Sequence, residues 1–181
     1  MLRFVIFPQE IHVSHSMRTL MNKRRYRGSF NRDFEGVIRG CSESEGRIQH
    51  EYAWLGPDMI AAYTELHRLG FATSVEVWDN KELVGGLYGV TIGRCFIGES
   101  MFSRVPNASK LALIFLATHM QKMGGGIIDC QLETPHLRSM GGRFIPYEEY
   151  MEFLKPKDPK THENPESPEA PSPSLPEGRG S

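Results

Sequence analysis

The segment 83–131 contains the feature that most constrains the fold, a helix placed between two β-rich stretches. The first stretch contains a hairpin whose turn is at Gly93. The apolar segment 108–120 has helical spacing and ends before the glycines at 124–126, which lead into the apolar strand 127–128. A strand, a helix and a strand in this order are expected to pair in parallel with a right-handed crossover. The pattern predicts a mixed, twisted sheet flanked by helices, an α/β (α+β) fold.

The remaining elements follow from hydrophobic periodicity and end signals. Strands are predicted at 2–7, 27–30, 72–78, 82–92 and 143–146, and Tyr147–Leu154 is predicted to be helical. Further helices are expected to start at Ser14, Asn31, Gly56-Pro57, Asn107 and Thr134-Pro135. The polar stretch Ser42–Tyr52 has no period and is predicted to be a surface loop.

Three polar residues sit where this fold would place a site. Glu99 is expected at the end of a strand, among small neighbours that let a ligand approach. Asp129 and Gln131 are two residues apart, so on a strand they would project on the same side. Two simpler interpretations remain open: Asp129 could cap a neighbouring turn, and Glu99 could pair with Arg104 or Arg94.

Composition divides the chain into residues 1–154 and a tail, 155–181. The first part suits one domain with a stable core. Seven of the twelve prolines lie after Lys155, among Ser, Glu and Lys and with almost no apolar residues. Such a segment cannot bury enough surface to offset its ordering entropy, so a disordered Pro/Ser/Glu-rich tail is predicted.

The cysteines and the apolar runs bear on location. Cys41, Cys95 and Cys130 are odd in number and widely spaced, as in a reduced cytosolic protein. The longest apolar run is far too short for a membrane span, and the N-terminus lacks a signal-peptide pattern. A cytoplasmic monomer without a membrane partner is expected. His12 and His15 have no apparent third ligand, so no metal is predicted.

The charge is unevenly distributed. Residues 1–27 carry a net charge of +5, and residues 28–154 carry −5. A basic patch on an otherwise acidic protein can hold a phosphate backbone while repelling it elsewhere. The cluster consists of Arg18, Lys23, Arg24, Arg25 and Arg27, and its alternative interpretation is a solvated helix face.

Several ordered segments resemble the leucyl/phenylalanyl-tRNA protein transferases. The closest are Leu83–Gly89, Gly98–Arg104, Asn107–Lys110 and Ile128–Gln131, with weaker similarity from about Phe4 to Leu154. The resemblance implies the acyl-CoA N-acyltransferase (GNAT-like) type of fold. It also implies an enzyme that moves Leu, Phe or Met from aminoacyl-tRNA to proteins beginning with Lys or Arg, which marks them for N-end-rule degradation. No DNA partner is implied.

The resemblance assigns catalysis to Asp129, Gln131 and Glu99. The Gln131 carbonyl would accept the proton of the attacking α-amino group, and the Asp129 carboxylate would polarise that amide. Because an amide is a poor base, Gln131 could instead orient the amine while a tRNA hydroxyl relays the proton. Glu99 would orient Gln131 or attract the basic first residue of the acceptor.

The resemblance also implies binding residues. The aminoacyl-adenosine end would contact Trp54 and an apolar pocket, although the pocket residues could equally be ordinary core. The substrate-binding set is Trp54, Met101, Ser103, Leu116, Met120 and Ile128. The basic cluster defined above matches the tRNA-binding residues of the family.

The chain also departs from its relatives and raises alternatives. Relatives usually carry an additional N-terminal domain before the strand that begins near Phe4, and part of their substrate cleft comes from it. A binding module for tRNA acceptor ends, or an N-acyltransferase with another acyl donor, are the alternatives. Coenzyme A is not expected, because the glycines at 124–126 follow a helix, whereas a pyrophosphate loop precedes one. No cofactor is therefore predicted.

Overall fold

The computed structural model of the chain describes residues 1–48 and 56–156. Trp54 and the tail from residue 157 lie outside the described residues. The strands are β1 (Leu2–Ile6), β2 (Tyr26–Phe30), β3 (Ala72–Asp79), β4 (Glu82–Ile92), β5 (Cys95–Ser103), β6 (Ile127–Asp129) and β7 (Arg143–Pro146). The helices are α1 (His15–Asn22), α2 (Phe34–Ile48), α3 (Pro57–Arg68), α4 (Ala108–Lys122), α5 (Pro135–Ser139) and α6 (Tyr147–Leu154), with a 3₁₀ turn at Pro8–Glu10.

The seven strands form one open sheet in the order β2-β3-β4-β5-β6-β1-β7. Neighbouring strands are antiparallel except β5 and β6, which are parallel and joined through α4. The parallel pairing predicted for the strand–helix–strand segment is therefore confirmed. The predicted α/β class with a mixed sheet is confirmed as well.

Side chains alternate between the two faces of the sheet, as the strand period requires. Phe96 and Ile128 pack in the cluster around α4, whereas Cys95 and Ile127 pack against α6. Helices α2 and α3 cover the sheet through a further cluster that includes Tyr88. The sheet is thus covered by helices on both faces.

Two predicted helix caps need correction. Asn31 does not cap α2: it has a left-handed φ of 55°, and its Oδ1 accepts from the Ser74 N–H. Asp33 is the cap, because its Oδ1 accepts from the N–H of Gly36 at 2.9 Å. Asp is a preferred residue at this position and reaches the third helical N–H. Asn107 has φ 68° and makes no side-chain cap bond to α4.

The polar stretch Ser42–Tyr52 was predicted as a loop, but α2 continues to Ile48, and the rest of the stretch lies outside the described residues. The apolar stripe that anchors the helix, which includes Phe34, Val37 and Cys41, lies in its first half. A helix that is anchored in this way can extend through a polar segment without an apolar stripe of its own, which hydrophobic periodicity alone does not reveal.

Candidate active site

The candidate site lies where β5 and β6 stop pairing. Their parallel register runs from Cys95↔Ile127 to Ile97↔Asp129. Beyond this point β6 ends, while β5 continues to Ser103 paired with β4 alone. The chain therefore leaves an opening beside Gly98, bordered by the residues that follow each strand's last paired position.

Glu99 occupies a β-bulge at this opening. Tyr88 pairs with Ser100 and Gly89 pairs with Gly98, so Glu99 is the extra residue of β5. The sequence predicted Glu99 at the end of a strand, whereas the structure places it inside β5. A bulge bends the strand and redirects a side chain, so Glu99 can still point away from the regular strand pairing. This feature was missed because it depends on the register between two strands, which neither strand shows alone.

The Glu99 carboxylate is exposed and faces α3. It accepts a hydrogen bond from Tyr63, and burial followed by the nearby negative charge raises the pKa of Tyr63 to about 12. The proposed alternative partners lie elsewhere: Arg104 is 3.6 Å from Glu43, and the guanidinium of Arg94 lies over the Phe153 ring. Tyr63 therefore keeps its proton at neutral pH and anchors Glu99 as a donor.

Asp129 is completely buried at the end of β6. Its Oδ2 accepts from the Arg3 guanidinium and from the Tyr150 hydroxyl, the latter at 2.7 Å. Its Oδ1 accepts from the backbone N–H of Gln131 at 2.9 Å. The hydrogen bond from Arg3 to Asp129 raises the pKa of Arg3. Burial, followed by the hydrogen bond from Tyr150 to Asp129, raises the pKa of Tyr150. All the partners of this carboxylate lie within the protein.

Gln131 does not share a strand with Asp129, contrary to the prediction. The strand β6 ends at Asp129, and Gln131 adopts a left-handed φ of 64°. Its side-chain Nε2 donates to the Gly98 carbonyl at 2.6 Å, which bridges the opening between the strands. Its Oε1 makes no hydrogen bond to residues 1–48 or 56–156. The exposed Gln131 side chain therefore presents an acceptor atom at the opening.

The predicted apolar pocket residues all lie in the cluster around α4. Leu116 and Ile128 are buried, and Met101 and Met120 are partly buried against the same cluster. Met101 lies on β5 just past Glu99, and Ile128 lies on β6 just before Asp129. The four residues thus belong to one core cluster, which is the ordinary-core alternative, and only Met101 and Ile128 are next to the strand positions that border the opening.

Ser103 has a structural contact. Its hydroxyl accepts from the N–H of Ser109 at 2.8 Å, so it performs the capping of α4 that had been assigned to Asn107. No sequence signal indicates this cap, because the serine lies several residues upstream of the helix.

The basic cluster is exposed, as predicted. Arg24, Arg25 and Arg27 line an open cavity of about 930 Å³ together with Lys81 of the β3–β4 turn. Arg25 is not free within it, because its Nη2 and Nε lie 2.9 and 3.1 Å from Asp79 Oδ2. Arg18 and Lys23 lie on α1 and at its end.

The buried thiols near the site do not provide a nucleophile. The three cysteines are thiols rather than disulfides, and burial raises the pKa of both Cys95 and Cys130 to about 12. At neutral pH both remain protonated, and a protonated thiol is a poor nucleophile. Chemistry at this site would therefore rely on the carboxylates and the amide.

Within 1–48 and 56–156, no group of three or more His, Cys, Asp or Glu is placed to hold a metal ion. Among the helices of the same residues, none is long and apolar enough to cross a membrane.

Comparison with known proteins identifies relatives. A family model described as "Leucyl/phenylalanyl-tRNA protein transferase" matches residues 5–155. Two relatives are named leucyl/phenylalanyl-tRNA–protein transferase. The protein from Nitrosomonas eutropha is 50% identical, and the match covers 80% of this chain and 61% of the relative. The protein from Pseudomonas fluorescens is 51% identical, and the match covers 82% of this chain and 65% of the relative. The chain thus spans under two thirds of the length of these relatives.

Solved structures with related folds are distant in sequence. A conserved protein of unknown function from Bacteroides thetaiotaomicron has a TM-score of 0.51 and 16% identity, covering 76% of this chain and 53% of its own. L-PGS from Bacillus licheniformis has a TM-score of 0.50 and 15% identity, covering 74% and 48%. At these identities the comparison supports the fold alone.

Proposed function

This chain belongs to the leucyl/phenylalanyl-tRNA protein transferase family, and on that basis we propose that it transfers an amino acid from charged tRNA to a protein N-terminus. The donors are tRNAs carrying Leu, Phe or Met, and the acceptors begin with Lys or Arg. The observation that supports this proposal most is the position of the Gln131 side chain, which donates to Gly98 of β5 and presents its Oε1 at the opening.

The chemistry requires few groups because the donor is an activated ester. The acceptor nitrogen attacks the aminoacyl carbonyl carbon, a C–N bond forms, and the ester C–O bond to the tRNA breaks. The amine loses one proton, and the terminal hydroxyl of the tRNA gains one. The enzyme therefore has to hold the neutral amine in line with the ester and direct this proton.

We assign these tasks to Gln131 and Glu99. The Gln131 Oε1 accepts an N–H of the amine, while the Gly98 carbonyl holds the other end of the amide at 2.6 Å. This amide orients the amine, and the proton can pass to the tRNA hydroxyl. The exposed Glu99 carboxylate attracts the cationic first residue of the acceptor, held on its inner side by Tyr63.

The binding surfaces follow the same assignment. Met101, Leu116, Met120 and Ile128 would line the pocket for the amino-acid side chain beside the opening, and Trp54 would contact the terminal adenosine. The cluster of Arg18, Lys23, Arg24, Arg25 and Arg27 would contact tRNA phosphates.

We assign the fold to the acyl-CoA N-acyltransferase type. The separation of two parallel strands at the candidate site, after a short shared register, supports this assignment. The glycines at 124–126 follow α4, so coenzyme A is not the proposed donor. The protein is proposed to act as a cytoplasmic monomer on proteins destined for N-end-rule degradation.

The direct test measures transfer from charged tRNA to an Arg-initiated peptide. Gln131→Ala should lower kcat on the order of 100-fold with little change in tRNA binding, because the lost contact is made with the attacking amine. Gln9→Ala is the matched control, since Gln9 is exposed and lies beside Gly125, at the other end of β6. The assay is run on this chain alone and joined to the part of a relative that it does not cover.

A binding module for charged tRNA is the second candidate, because Arg24, Arg25 and Arg27 line an open cavity whose phosphate contacts would need no chemistry at Gln131. It predicts tight binding of charged tRNA, no peptide product in either format, and no effect of Gln131→Ala. That set of results would reject the transferase proposal. Equal losses of binding and turnover in Gln131→Ala would reject the role given to Gln131.

A further inference from the structure

We propose that Arg3 and Tyr150 are positioning residues that set the geometry of Gln131 by fixing the Asp129 carboxylate. The role in turnover rests on the proposed function, whereas the structural link can be tested without it. Arg3 lies on β1 and Tyr150 on α6, so the two ends of the folded domain converge on one buried carboxylate.

The carboxylate of Asp129 is fully buried. The side chain has 0% exposure and lies on a strand with neighbours on both sides, β5 and β1. A buried carboxylate is strongly unfavourable unless it is paired and hydrogen-bonded. Arg3 and Tyr150 both bind Oδ2, which leaves Oδ1 for the Gln131 N–H. The two side chains therefore determine which way the carboxylate faces.

The backbone of Gln131 adopts a left-handed conformation. A left-handed φ of 64° is unfavourable for a residue with a side chain, and it persists where the surroundings hold it. The bond from the Gln131 N–H to the Asp129 side chain two residues earlier closes a turn of the Asx type. That turn brings the Gln131 amide to the Gly98 carbonyl, across the opening between the strands.

The Arg3 guanidinium makes two contacts at this carboxylate. It binds Asp129 and also lies 4.8 Å from the centre of the Tyr150 ring. Its Nε is buried without a hydrogen bond. A buried, unpartnered donor is unfavourable, so the guanidinium depends on its contacts with Asp129 and the Tyr150 ring to hold this position. A lysine has no planar group to stack on the ring while binding the carboxylate, so it should not replace Arg3.

The test compares two matched variants on one helix. Tyr150→Phe removes the hydroxyl bound to Asp129 and keeps the ring under Arg3, whereas Tyr147→Phe removes a hydroxyl from the neighbouring tyrosine on α6, which makes no bond to Asp129. The first readout is the NMR signal of the Gln131 side-chain amide protons, which are bonded to Gly98. Tyr150→Phe and Arg3→Lys should shift this signal and speed exchange of its protons with water, and Tyr147→Phe should leave both unchanged.

The second readout is transfer activity. Tyr150→Phe should lower kcat roughly tenfold, the scale of one hydrogen bond to a charged group, with KM for charged tRNA unchanged. An unchanged Gln131 amide signal in Tyr150→Phe, or a fall in kcat matched by the same fall in folded fraction, would overturn the proposal. If Tyr150→Phe does not fold, Arg3→Lys decides by the same signal. If the parent protein shows no transfer, the proposed function fails, and the amide signal still decides this link.

Discussion

Glu76 is a fully buried carboxyl on β3 with an unusual environment. Its Oε1 accepts from the N–H groups of Arg32 and Asp33, at 2.5 Å each, where α2 begins. Its Oε2 is buried without a hydrogen bond. Burial raises the pKa of Glu76 to about 7, although the two N–H groups act in the opposite direction. The alternating pattern of β3 does not predict this burial, because Glu76 points to the opposite face of the sheet from Val75 and Val77.

Glu76→Gln should therefore remove a pH dependence of stability. The folded protein holds a proton on Glu76 up to about pH 7, whereas an unfolded chain releases it near pH 4.5, so stability of the parent falls as pH rises between these values. Above pH 7 the parent protein has lost at most about 3 kcal/mol of its free energy of unfolding through this group. Urea unfolding at pH 5 and pH 8 should show this fall for the parent and much less of it for the variant. Glu82→Gln, on an exposed carboxyl of β4, should retain the parent's fall, and a similar slope in Glu76→Gln and the parent would contradict the assignment.

The sequence predicted contacts between residues that are close in the chain, and it did not predict contacts between residues that are far apart in it. Ser14 was expected to cap α1, and its hydroxyl accepts from the Met17 N–H as a cap should. Arg3 and Tyr150 were not foreseen, because they lie 126 and 21 residues from Asp129 and no local pattern links them. The tertiary pairing of β1 with β6 and β7 brings these residues together.

At the scale of elements, α4 illustrates both what a pattern provides and what it omits. Its apolar residues and the glycines after it predicted its position and the parallel strands around it. Its start at Ala108 was predicted correctly, but its cap was misassigned, because Asn107 takes the left-handed turn while Ser103 supplies the acceptor. Asn is favoured in both roles, so the sequence alone does not separate a cap from a turn.

Ser103→Ala should therefore destabilise the protein by about 1 kcal/mol, the usual effect of losing a helix cap. Activity per folded molecule should not change, because the hydroxyl is occupied by Ser109 N–H rather than by substrate. Ser109→Ala is the control, since it keeps the backbone N–H that Ser103 accepts. Thermal unfolding and transfer kinetics give the two values. A higher KM for charged tRNA at unchanged stability would instead support the substrate-binding role first assigned to Ser103.

The whole molecule combines a basic N-terminal segment with an acidic remainder, and the fold brings the two into contact. Arg25 follows α1, and Asp79 ends β3, where they form an ion pair at 2.9 Å. The charge pattern predicted the basic cluster but not this pairing, which depends on β2 lying beside β3. The charge that the cluster can offer to a phosphate backbone is therefore smaller than the sequence suggests.

Releasing Arg25 from this pair should strengthen tRNA binding. Asp79→Asn removes the carboxylate, and the Arg25 side chain is 64% exposed, so it can turn to a phosphate. One additional phosphate contact should steepen the dependence of log affinity on log salt by up to about 0.9. All tRNAs should gain alike, because phosphate contacts position a ligand without reading it. Salt titrations of tRNA binding for the parent and the variant give both values.

Glu35→Gln is the matched control for this change. It removes the same charge and releases Arg39 from an exposed pair of 2.8 Å, but on α2 rather than in the basic cluster. If only net charge matters, the two variants should bind tRNA equally well. If Asp79→Asn alone steepens the slope, the phosphate path passes Arg25. If Asp79→Asn retains the parent's slope and affinity, Arg25 does not contact the tRNA, and the path must follow the other cations of the cluster or lie elsewhere.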